Sequence, residues 1–310
     1  MPERGLSDGR NTPASEDAGY RALREVAMAD LRGQIALVTG ASRGAGRGIA
    51  RVLGEAGATV YVTGRSVRGA ATTENLPGTV DETAEEVTAR GGYGIAVRCD
   101  HTVDADVEAL FARIKKDHGR LDILVNNVWG GYEEYHRKIP FLAFWKPSFA
   151  ERWQRVFGAG LRAHLHASAL AAPLMIPQKR GLIVSTIAWD HDKFLGAVFY
   201  DLPKHALVRM IYGMAHELRK HNVAAIALAP GFMRTERVLA TPASDWPGGK
   251  IDLSLTESPE YTGRAVRALA TDPKVLEKSG RAFLVGEIAQ EYAFTDIDGR
   301  KIPPFTVPES

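Results

Sequence analysis

The chain has 310 residues, of which 45% are hydrophobic and 25% are charged, with a formal net charge of +2. This composition is ordinary for a globular domain. The sequence has no apolar run of the roughly eighteen residues that a membrane span needs, so no membrane span is indicated. Its longest basic block is Lys115–Lys116, so no nucleic-acid partner is indicated. The single cysteine excludes an internal disulfide and suits a reducing compartment, and we expect a cytoplasmic protein.

The N-terminal segment is rich in Gly, Ser, Pro and acidic residues and contains no apolar core that would make it a signal peptide. Such a composition cannot bury enough apolar surface to fold. The sequence therefore predicts a flexible extension over 1–30 and a single domain over 31–310.

The first predicted strand, 35–39, is followed at once by a glycine-rich segment and a helix. Gly40 permits a tight turn, while Gly44 and Gly46 lack the side chains that would keep backbone N–H groups and the helix away from a dinucleotide. An anion at this point would meet the positive end of the helix. The segment therefore predicts a pyrophosphate site formed by Gly40, Ser42, Arg43, Gly44 and Gly46.

Strand-like and helix-like segments alternate along the rest of the chain, which predicts a parallel sheet. Most of the strands are apolar throughout, as expected where helices cover both faces of the sheet. The predicted fold class is α/β, a Rossmann-type doubly wound parallel sheet of about seven strands. The predicted strands are 35–39, 59–63, 94–99, 121–125, 181–186, 223–228 and 282–285.

Two connections are longer than ordinary loops, and long loops in a compact domain are often functional. They lie near 129–148 and 232–259, and we expect the substrate there. The first connection and the start of the next helix are rich in aromatic residues, which form either an apolar substrate wall or part of the core or a subunit contact. These aromatics are Tyr132, Tyr135, Phe141, Phe144, Trp145, Phe149 and Trp153.

Several motifs resemble those of the short-chain dehydrogenase/reductase superfamily, and together they span 31–302. Thr39 to Gly46 matches TGxxxGxG, Asn126 to Gly130 is similar to NNAG with Val and Trp as departures, Tyr200 to Lys204 gives YxxxK, and Pro230 to Thr235 gives PGxxxT. The resemblance implies that Asp100 and Asn126 contact the cofactor and that Pro230, Gly231 and Thr235 lie at the nicotinamide. It also implies a homodimer or homotetramer.

The residues after the second strand favour NADP(H) over NAD(H). An acid there would accept the ribose hydroxyls of NAD, whereas a 2′-phosphate needs a positive partner. In this sequence the position where NAD-binding proteins carry that acid is Gly64, and Arg65 follows it. Arg43 in the glycine-rich segment adds a second guanidinium. The alternative is that both arginines are solvated surface residues.

Tyr200 and Lys204 are four residues apart and share one face of a helix. A cation beside a phenol favours the phenolate and lowers the tyrosine pKa from about 10, so Tyr200 can act as the general acid/base. The resemblance implies that Lys204 also contacts the nicotinamide ribose. Pro203 predicts that the helix starts between Gly196 and Leu202, so that its missing N–H falls in the first turn.

The family's catalytic serine usually lies about twelve to fourteen residues before the tyrosine, and an ungapped count reaches Ala188. Ser185 lies on the other side of an extended strand and Thr186 on the same side as Ala188, and a local bulge could bring either hydroxyl into reach. A carboxylate or imidazole from Asp190, His191 or Asp192 is a further candidate for the serine's role. The alternative is that these three residues form a solvated loop.

The family's relay asparagine is also missing, because its position is Gly160. A mid-helix glycine indicates either a close packing contact or room for water, and we favour packing.

The predicted function is therefore an NADP(H)-dependent oxidoreductase that interconverts a carbonyl and an alcohol on an apolar small molecule, with catalytic residues Tyr200, Lys204 and either Ser185 or Thr186. The alternative is a catalytically weak or inactive NADP(H)-binding regulator on the same scaffold. No group of residues has metal-ligand spacing.

Overall fold

A computed structural model describes residues 30–133, 141–191, 193–242 and 252–307. Its centre is a seven-stranded sheet in the order β3-β2-β1-β4-β5-β6-β7, and every neighbouring pair is parallel. The predicted fold class is confirmed. The strands are β1 (Ile35–Thr39), β2 (Thr59–Gly64), β3 (Tyr93–Arg98), β4 (Ile123–Asn126), β5 (Gly181–Thr186), β6 (Val223–Ala229) and β7 (Ala282–Leu284).

Helices cover both faces of the sheet and bury two separate apolar cores. One core packs under α1, α2, α8 and α9, and the other under α3, α5 and α6. The helices are α1 (Gly44–Glu55), α2 (Val80–Ala89), α3 (Asp104–His118), α4 (Phe149–Trp153), α5 (Ala163–Met175), α6 (Val198–Leu218), α7 (Glu236–Ala240), α8 (Pro259–Thr271) and α9 (Val285–Glu291). Within the described ranges, none of the helices has the length and apolarity to cross a membrane.

The strand order reverses at β1, which lies between β2 and β4. Connections leave these strands toward opposite faces of the sheet, so a crevice opens above their carboxyl ends. The glycine turn after β1, the end of β5, the start of α6 and the segment after β6 all meet at this edge. The fold therefore positions one site there.

The helix predicted over 149–170 is not regular. Between α4 and α5 the chain follows a π-helical stretch, Gln154–Arg162, which includes Gly158 and Gly160. Single π turns often occur at functional sites because they shift side chains relative to a regular helix. This stretch passes beside the crevice.

Helix α6 starts at Val198, within the predicted window. Pro203 is nevertheless the sixth helical residue, beyond the first turn in which amides have no helical partner. The expectation that its missing N–H costs nothing is therefore wrong, because the Phe199 carbonyl loses the partner that a regular helix would provide.

Candidate active site

A cavity of about 540 Å³ opens at the carboxyl edge of the sheet. We call one end of it the glycine-loop end, lined by Gly40, Ser42, Arg43, Gly44, Arg65 and Asp100, among others. The other is the tyrosine end, lined by Trp129, Tyr132, Phe141, Thr186, Ala188, Tyr200 and Lys204, among others. The two ends form one continuous space.

The glycines of the glycine-loop end are required by close approaches. Gly40 has φ +64°, and a Cβ there would lie 3.1 Å from Val128 Cα. A Cβ on Gly46 would lie 2.3 Å from the Gly40 carbonyl oxygen, so Gly46 allows α1 to pack against the turn without itself lining the cavity. Any side chain at these positions would push the helix away from the strand.

The N-terminus of α1 already holds an anionic group. The Gly44 N–H donates to Glu236 Oε2 at 2.8 Å, and Glu236 also lies 3.7 Å from Arg47. A carboxylate at this point stands where a phosphate would be favoured, because unpaired N–H groups and the helix dipole both attract negative charge. The residues present therefore fit a pyrophosphate.

The two arginines predicted to select the cofactor both line the cavity, in different surroundings. Arg43 donates to the carbonyl oxygens of Pro77 and Gly78, each at 3.0 Å. Among the described residues its hydrogen bonds go only to neutral oxygens, and burial lowers its pKa. Arg65 is ion-paired with Glu133.

Asp100 also lines the glycine-loop end. Its Oδ1 accepts from the N–H of Thr102 at 3.0 Å and from the Thr102 hydroxyl at 2.7 Å. Burial raises the pKa of this carboxyl, but the hydrogen bonds from Thr102 outweigh it and hold the pKa below its ordinary value. The side chain is therefore an ionised acceptor.

The structure corrects the prediction for Asn126. Its side chain is fully buried and donates to Ser168 Oγ at 2.9 Å, away from the cavity. The next residue, Asn127, lines the cavity and donates to the Gly40 carbonyl oxygen at 3.0 Å, which ties β4 to the glycine turn. Strand alternation causes the exchange, because neighbouring side chains point to opposite faces.

Strand alternation also separates the two hydroxyls predicted to polarise the substrate. Ser185 is fully buried and does not line the cavity, which corrects that prediction. Thr186 lines the cavity, and its Oγ1 lies 3.3 Å from Asn127 Oδ1 and 3.4 Å from the Asn126 carbonyl oxygen. Ala188, which also lines the cavity, has no hydroxyl to offer.

Of the polar residues after β5, Asp190 and His191 are not in the cavity lining. Asp190 accepts from the Val307 N–H at 2.6 Å and pairs with Lys193 at 3.1 Å, so it anchors the C-terminal segment. His191 packs against Trp189, with ring centroids 4.6 Å apart. Asp192 lies outside the described residues.

Tyr200 and Lys204 both line the tyrosine end from the first two turns of α6. Lys204 Nζ lies 3.7 Å from the centroid of the Trp129 ring and 5.9 Å from that of the Tyr200 ring. Burial lowers the pKa of Lys204 to about 7, and the Trp129 ring face provides a partial counter-charge.

Trp129 also explains Gly160. A Cβ on Gly160 would lie 2.8 Å from Trp129 Cζ3, so a larger residue would collide with the indole. This contact supports packing rather than water as the reason for the glycine. Two departures from the family pattern, Trp129 in the NNAG-like segment and Gly160 at the position of the relay asparagine, thus occupy one space.

Two of the seven aromatics line the cavity. Tyr132 and Phe141 line the cavity beside Tyr200; the Tyr132 and Tyr200 hydroxyl oxygens are 2.6 Å apart, and the Phe141 and Tyr200 ring centroids are 4.9 Å apart. Tyr135 lies outside the described residues. The others do not line the cavity and are exposed: Phe144, Trp145, Phe149 and Trp153.

The segment after β6 closes the cavity from above. Pro230, Gly231 and Thr235 line it, and Thr235 caps α7 by accepting from the Val238 N–H at 3.3 Å. Below Gly231 lies Glu257, a buried carboxyl whose pKa is raised to about 8 by burial. Sequence reasoning missed Glu257, because no motif includes it.

Comparison with known proteins agrees with this geometry. The family model described as short chain dehydrogenase matches residues 34–245. The chain belongs to the short-chain dehydrogenase family. It is therefore a member of a family of oxidoreductases, and nicotinamide dinucleotides are the cofactors of that family.

Individual members of the short-chain dehydrogenase family show how far the similarity extends. Mouse dehydrogenase/reductase SDR family member 1 is 38% identical over 286 residues, which are 90% of this chain and 88% of that protein. A 7α-hydroxysteroid dehydrogenase solved with NADH and 7-oxo glycochenodeoxycholic acid has a TM-score of 0.65 at 25% identity, covering 82% and 93% of the two chains. A metagenomic short-chain oxidoreductase solved with NADP has a TM-score of 0.61 at 28% identity, covering 82% and 96%.

Proposed function

We propose that this short-chain dehydrogenase is an NADP(H)-dependent enzyme that interconverts a carbonyl and an alcohol on an apolar small molecule. The observation that carries the proposal is that Tyr200 and Lys204 line the same cavity as the glycine-rich loop. A proton donor and a dinucleotide site in one space are what a hydride-transfer enzyme requires.

The glycine-loop end would hold the dinucleotide through its own residues. Gly44 offers a backbone N–H at the positive end of α1, and Asp100 offers an ionised acceptor. The bound cofactor would supply or accept the hydride at the carbonyl carbon. Pro230, Gly231 and Thr235 would border the nicotinamide at the opposite end.

NADP(H) is favoured over NAD(H) by charge. Gly64 leaves no acid at the end of β2, whereas Arg43 and Arg65 both line the cavity. Because Arg43 contacts only neutral oxygens in the described residues, its positive charge is available to a nearby phosphate. Members of the family solved with NADH and with NADP both exist, so the choice depends on these side chains.

Tyr200 would exchange the proton of the reacting oxygen. In the reducing direction its hydroxyl gives a proton to the carbonyl oxygen as the C–H bond forms, and the phenolate that remains is stabilised by positive charge nearby. Lys204 provides that charge: burial lowers its pKa to about 7, and the Trp129 ring face, 3.7 Å from Nζ, favours the ammonium against that cost. Thr186 is the hydroxyl of the β5 end that could contact the substrate oxygen.

The substrate class follows from the walls of the tyrosine end. Trp129, Phe141 and Phe232 line it, and an apolar molecule would bury its surface against these rings. The exposed aromatics Phe149 and Trp153, whose rings stack at 6.0 Å, support the further proposal of a homodimer or homotetramer. A cytoplasmic location remains part of the proposal.

A non-catalytic NADP(H)-binding regulator is the second candidate, because Ala188 and Gly160 replace two residues of the usual catalytic set. The two candidates differ in what Tyr200 does. Replacing Tyr200 by Phe removes one hydroxyl and leaves the dinucleotide site unchanged. An enzyme loses turnover after this change, and a regulator has no turnover to lose.

The experiment follows NADPH oxidation with a panel of apolar ketones and aldehydes. We expect Tyr200→Phe to reduce kcat by at least about 100-fold while NADPH binding, followed by fluorescence, is retained. Tyr212→Phe, an exposed tyrosine on the same helix, is the matched control and should behave as the unmodified protein. Absence of turnover with every carbonyl and alcohol tested, in both directions, would favour the regulator.

A further inference from the structure

The site lacks the serine that usually donates to the substrate oxygen, and the neighbouring hydroxyl groups are not equally able to take its place. Ser185 is outside the cavity, and Ala188 has no polar group. Thr186 has one hydroxyl proton, and two acceptors, Asn127 Oδ1 at 3.3 Å and the Asn126 carbonyl oxygen at 3.4 Å, compete for it.

Tyr132 provides a second hydroxyl directly at the proton-exchanging oxygen. Its Oη is 2.6 Å from Tyr200 Oη, a short O–H···O distance in which either oxygen can donate. The Tyr132 ring stacks on Phe141 with an interplanar angle of 19° and packs edge-on against Trp129. The contact therefore joins two phenols whose rings are both held by aromatic neighbours.

The backbone before Tyr132 is shaped to bring it there. A Cβ on Gly131 would lie 2.7 Å from Trp129 Cζ2, and one on Gly130 would lie 2.8 Å from Ala159 Cβ. The turn closes with a hydrogen bond of 3.2 Å from the Glu133 N–H to the Gly130 carbonyl oxygen. Glu133 is anchored in turn, because Arg155 donates to its carbonyl oxygen at 2.9 Å.

We propose that Tyr132 is a catalytic residue, which takes the place of the family serine by donating its phenolic hydrogen to Tyr200 Oη when that oxygen carries negative charge. This proposal rests on the proposed function. During reduction the Tyr200 proton passes to the substrate oxygen, the hydride forms the C–H bond, and solvent later returns a proton to Tyr200. Tyr132 keeps its own proton throughout and acts only as a donor.

The physical gain is a hydrogen bond that strengthens in the course of the reaction. Between two neutral phenols the bond is ordinary, whereas a bond to a phenolate is charge-assisted and about twice as strong. The stabilisation is therefore larger after proton transfer than before it, which accelerates the chemical step. The same donor lowers the pKa of Tyr200 relative to a protein without it.

The test replaces Tyr132 by Phe, which keeps the ring and its stacking. We expect kcat to fall by about 10- to 100-fold with a smaller change in KM. The pH–rate profile should shift to higher pH by about one unit. Tyr212→Phe is the matched control, and Thr186→Val measures the competing hydroxyl.

A second readout needs no turnover. The ultraviolet absorbance of tyrosinate is titrated in the unmodified protein and in Tyr200→Phe, and their difference gives the pKa of the Tyr200 phenol. The same difference is then measured between the Tyr132→Phe variant and the double variant that carries both Tyr132→Phe and Tyr200→Phe. We expect the Tyr200 pKa to rise by about one unit when the Tyr132 hydroxyl is removed.

The outcomes separate this inference from the proposed function. If the titration shifts as expected but the unmodified protein reduces no carbonyl, the phenol pair stands as a hydrogen bond, and both the proposed function and the catalytic role of Tyr132 are overturned. If turnover is present but neither kcat nor the Tyr200 pKa responds to Tyr132→Phe, the inference is overturned alone. A larger kcat loss in Thr186→Val than in Tyr132→Phe would assign the serine's role to Thr186.

Discussion

The two ends of the cavity depart from the family pattern to different degrees. At the glycine-loop end, Gly40, Gly44 and Gly46 keep the motif, Gly40 and Gly46 make close approaches, and Gly44 has a positive φ of +56°. At the tyrosine end Tyr200 and Lys204 keep the pattern, but the positions of the catalytic serine and the relay asparagine carry Ala188 and Gly160. A dinucleotide at the glycine-loop end would be a ligand that many enzymes share, whereas the tyrosine end would have to fit the substrate of one enzyme.

The departures at the tyrosine end occur in pairs rather than singly. Trp129 fills the space over Gly160, and Tyr132 brings a hydroxyl to the Tyr200 hydroxyl, where Ala188 has none to offer. Each missing polar side chain is thus matched by a large aromatic residue from the segment after β4. This pairing favours a rebuilt tyrosine end over a decayed one.

The two ends also hold positive charge differently. The arginines of the glycine-loop end bond to oxygen atoms, such as Arg65 with Glu133 and Arg237 with Glu74. Within the described part of the chain Lys204 makes no ion pair, and it is 7% exposed. This difference gives the largest predicted effect.

Lys204→Met should abolish turnover and yet stabilise the protein without cofactor. Burial lowers the pKa of Lys204 from 10.5 to about 7, so between those values the unfolded chain binds more protons than the folded one, and stability rises with pH. The cost is fully present below about pH 7 and disappears toward pH 10.5. We expect a gain on the order of a few kcal/mol at pH 6.

Urea unfolding of both proteins at about pH 6 and about pH 10 checks this expectation. The gain in stability of Lys204→Met should shrink at the higher pH. Lys220→Met, an exposed lysine shortly after α6, is the control and should show no such pH dependence. A constant difference between the variant and the unmodified protein across this range would contradict the pKa shift.

Gly160→Asn restores the family residue but should destabilise this protein, because its Cβ would meet the Trp129 ring at 2.8 Å. Overpacking of this kind costs about 1–3 kcal/mol. Combining it with Trp129→Ala removes the collision, so the double variant should be more stable than the sum of the two single losses predicts. Denaturant unfolding of the four proteins measures this coupling, and strict additivity would show that the two positions are independent.

The order of elements in the fold could be predicted from sequence because long apolar runs and glycine turns carry local signals. Strand bounds agree to within about two residues, and the start of α6 was predicted from Pro203. The position of Pro203 within the helix was not predicted correctly, because the helix begins at Val198 and Pro203 is therefore its sixth residue. The π-helical stretch was also missed; it contains Gly160, which packs against Trp129, a residue distant in sequence.

The candidate site was predicted where a motif fixes a backbone position and missed where side-chain direction decides. Ser185 and Asn126 are paired in the sheet register, and neither lines the cavity. The residues that follow them, Thr186 and Asn127, point to the opposite side and line it. The proximity of Tyr132 and Tyr200 joins residues 68 positions apart. No local pattern encodes such a contact.

The glycine-loop end can be tested through cofactor choice. Arg65→Ala should weaken NADPH binding by about tenfold and NADH binding much less, because a guanidinium bond to the 2′-phosphate is lost only with NADPH. Fluorescence titration with both cofactors measures the ratio. Arg68→Ala is the control, since Arg68 is exposed and does not line the cavity. An unchanged ratio in Arg65→Ala would leave Arg43 as the residue that selects the cofactor.

Glu236→Gln should have the smallest effect, and its sign is the informative part. The carboxylate accepts from the Gly44 N–H at 2.8 Å, at the helix end that would hold a pyrophosphate, so two anions compete for one donor. The amide keeps an acceptor oxygen but removes the charge, and NADPH should bind about three- to tenfold more tightly. Glu85→Gln, which affects only a surface pair with Arg68, is the control in the same fluorescence titration. Weaker binding would instead mean that Glu236 serves the cofactor by orienting Arg47, because the two side chains lie 3.7 Å apart.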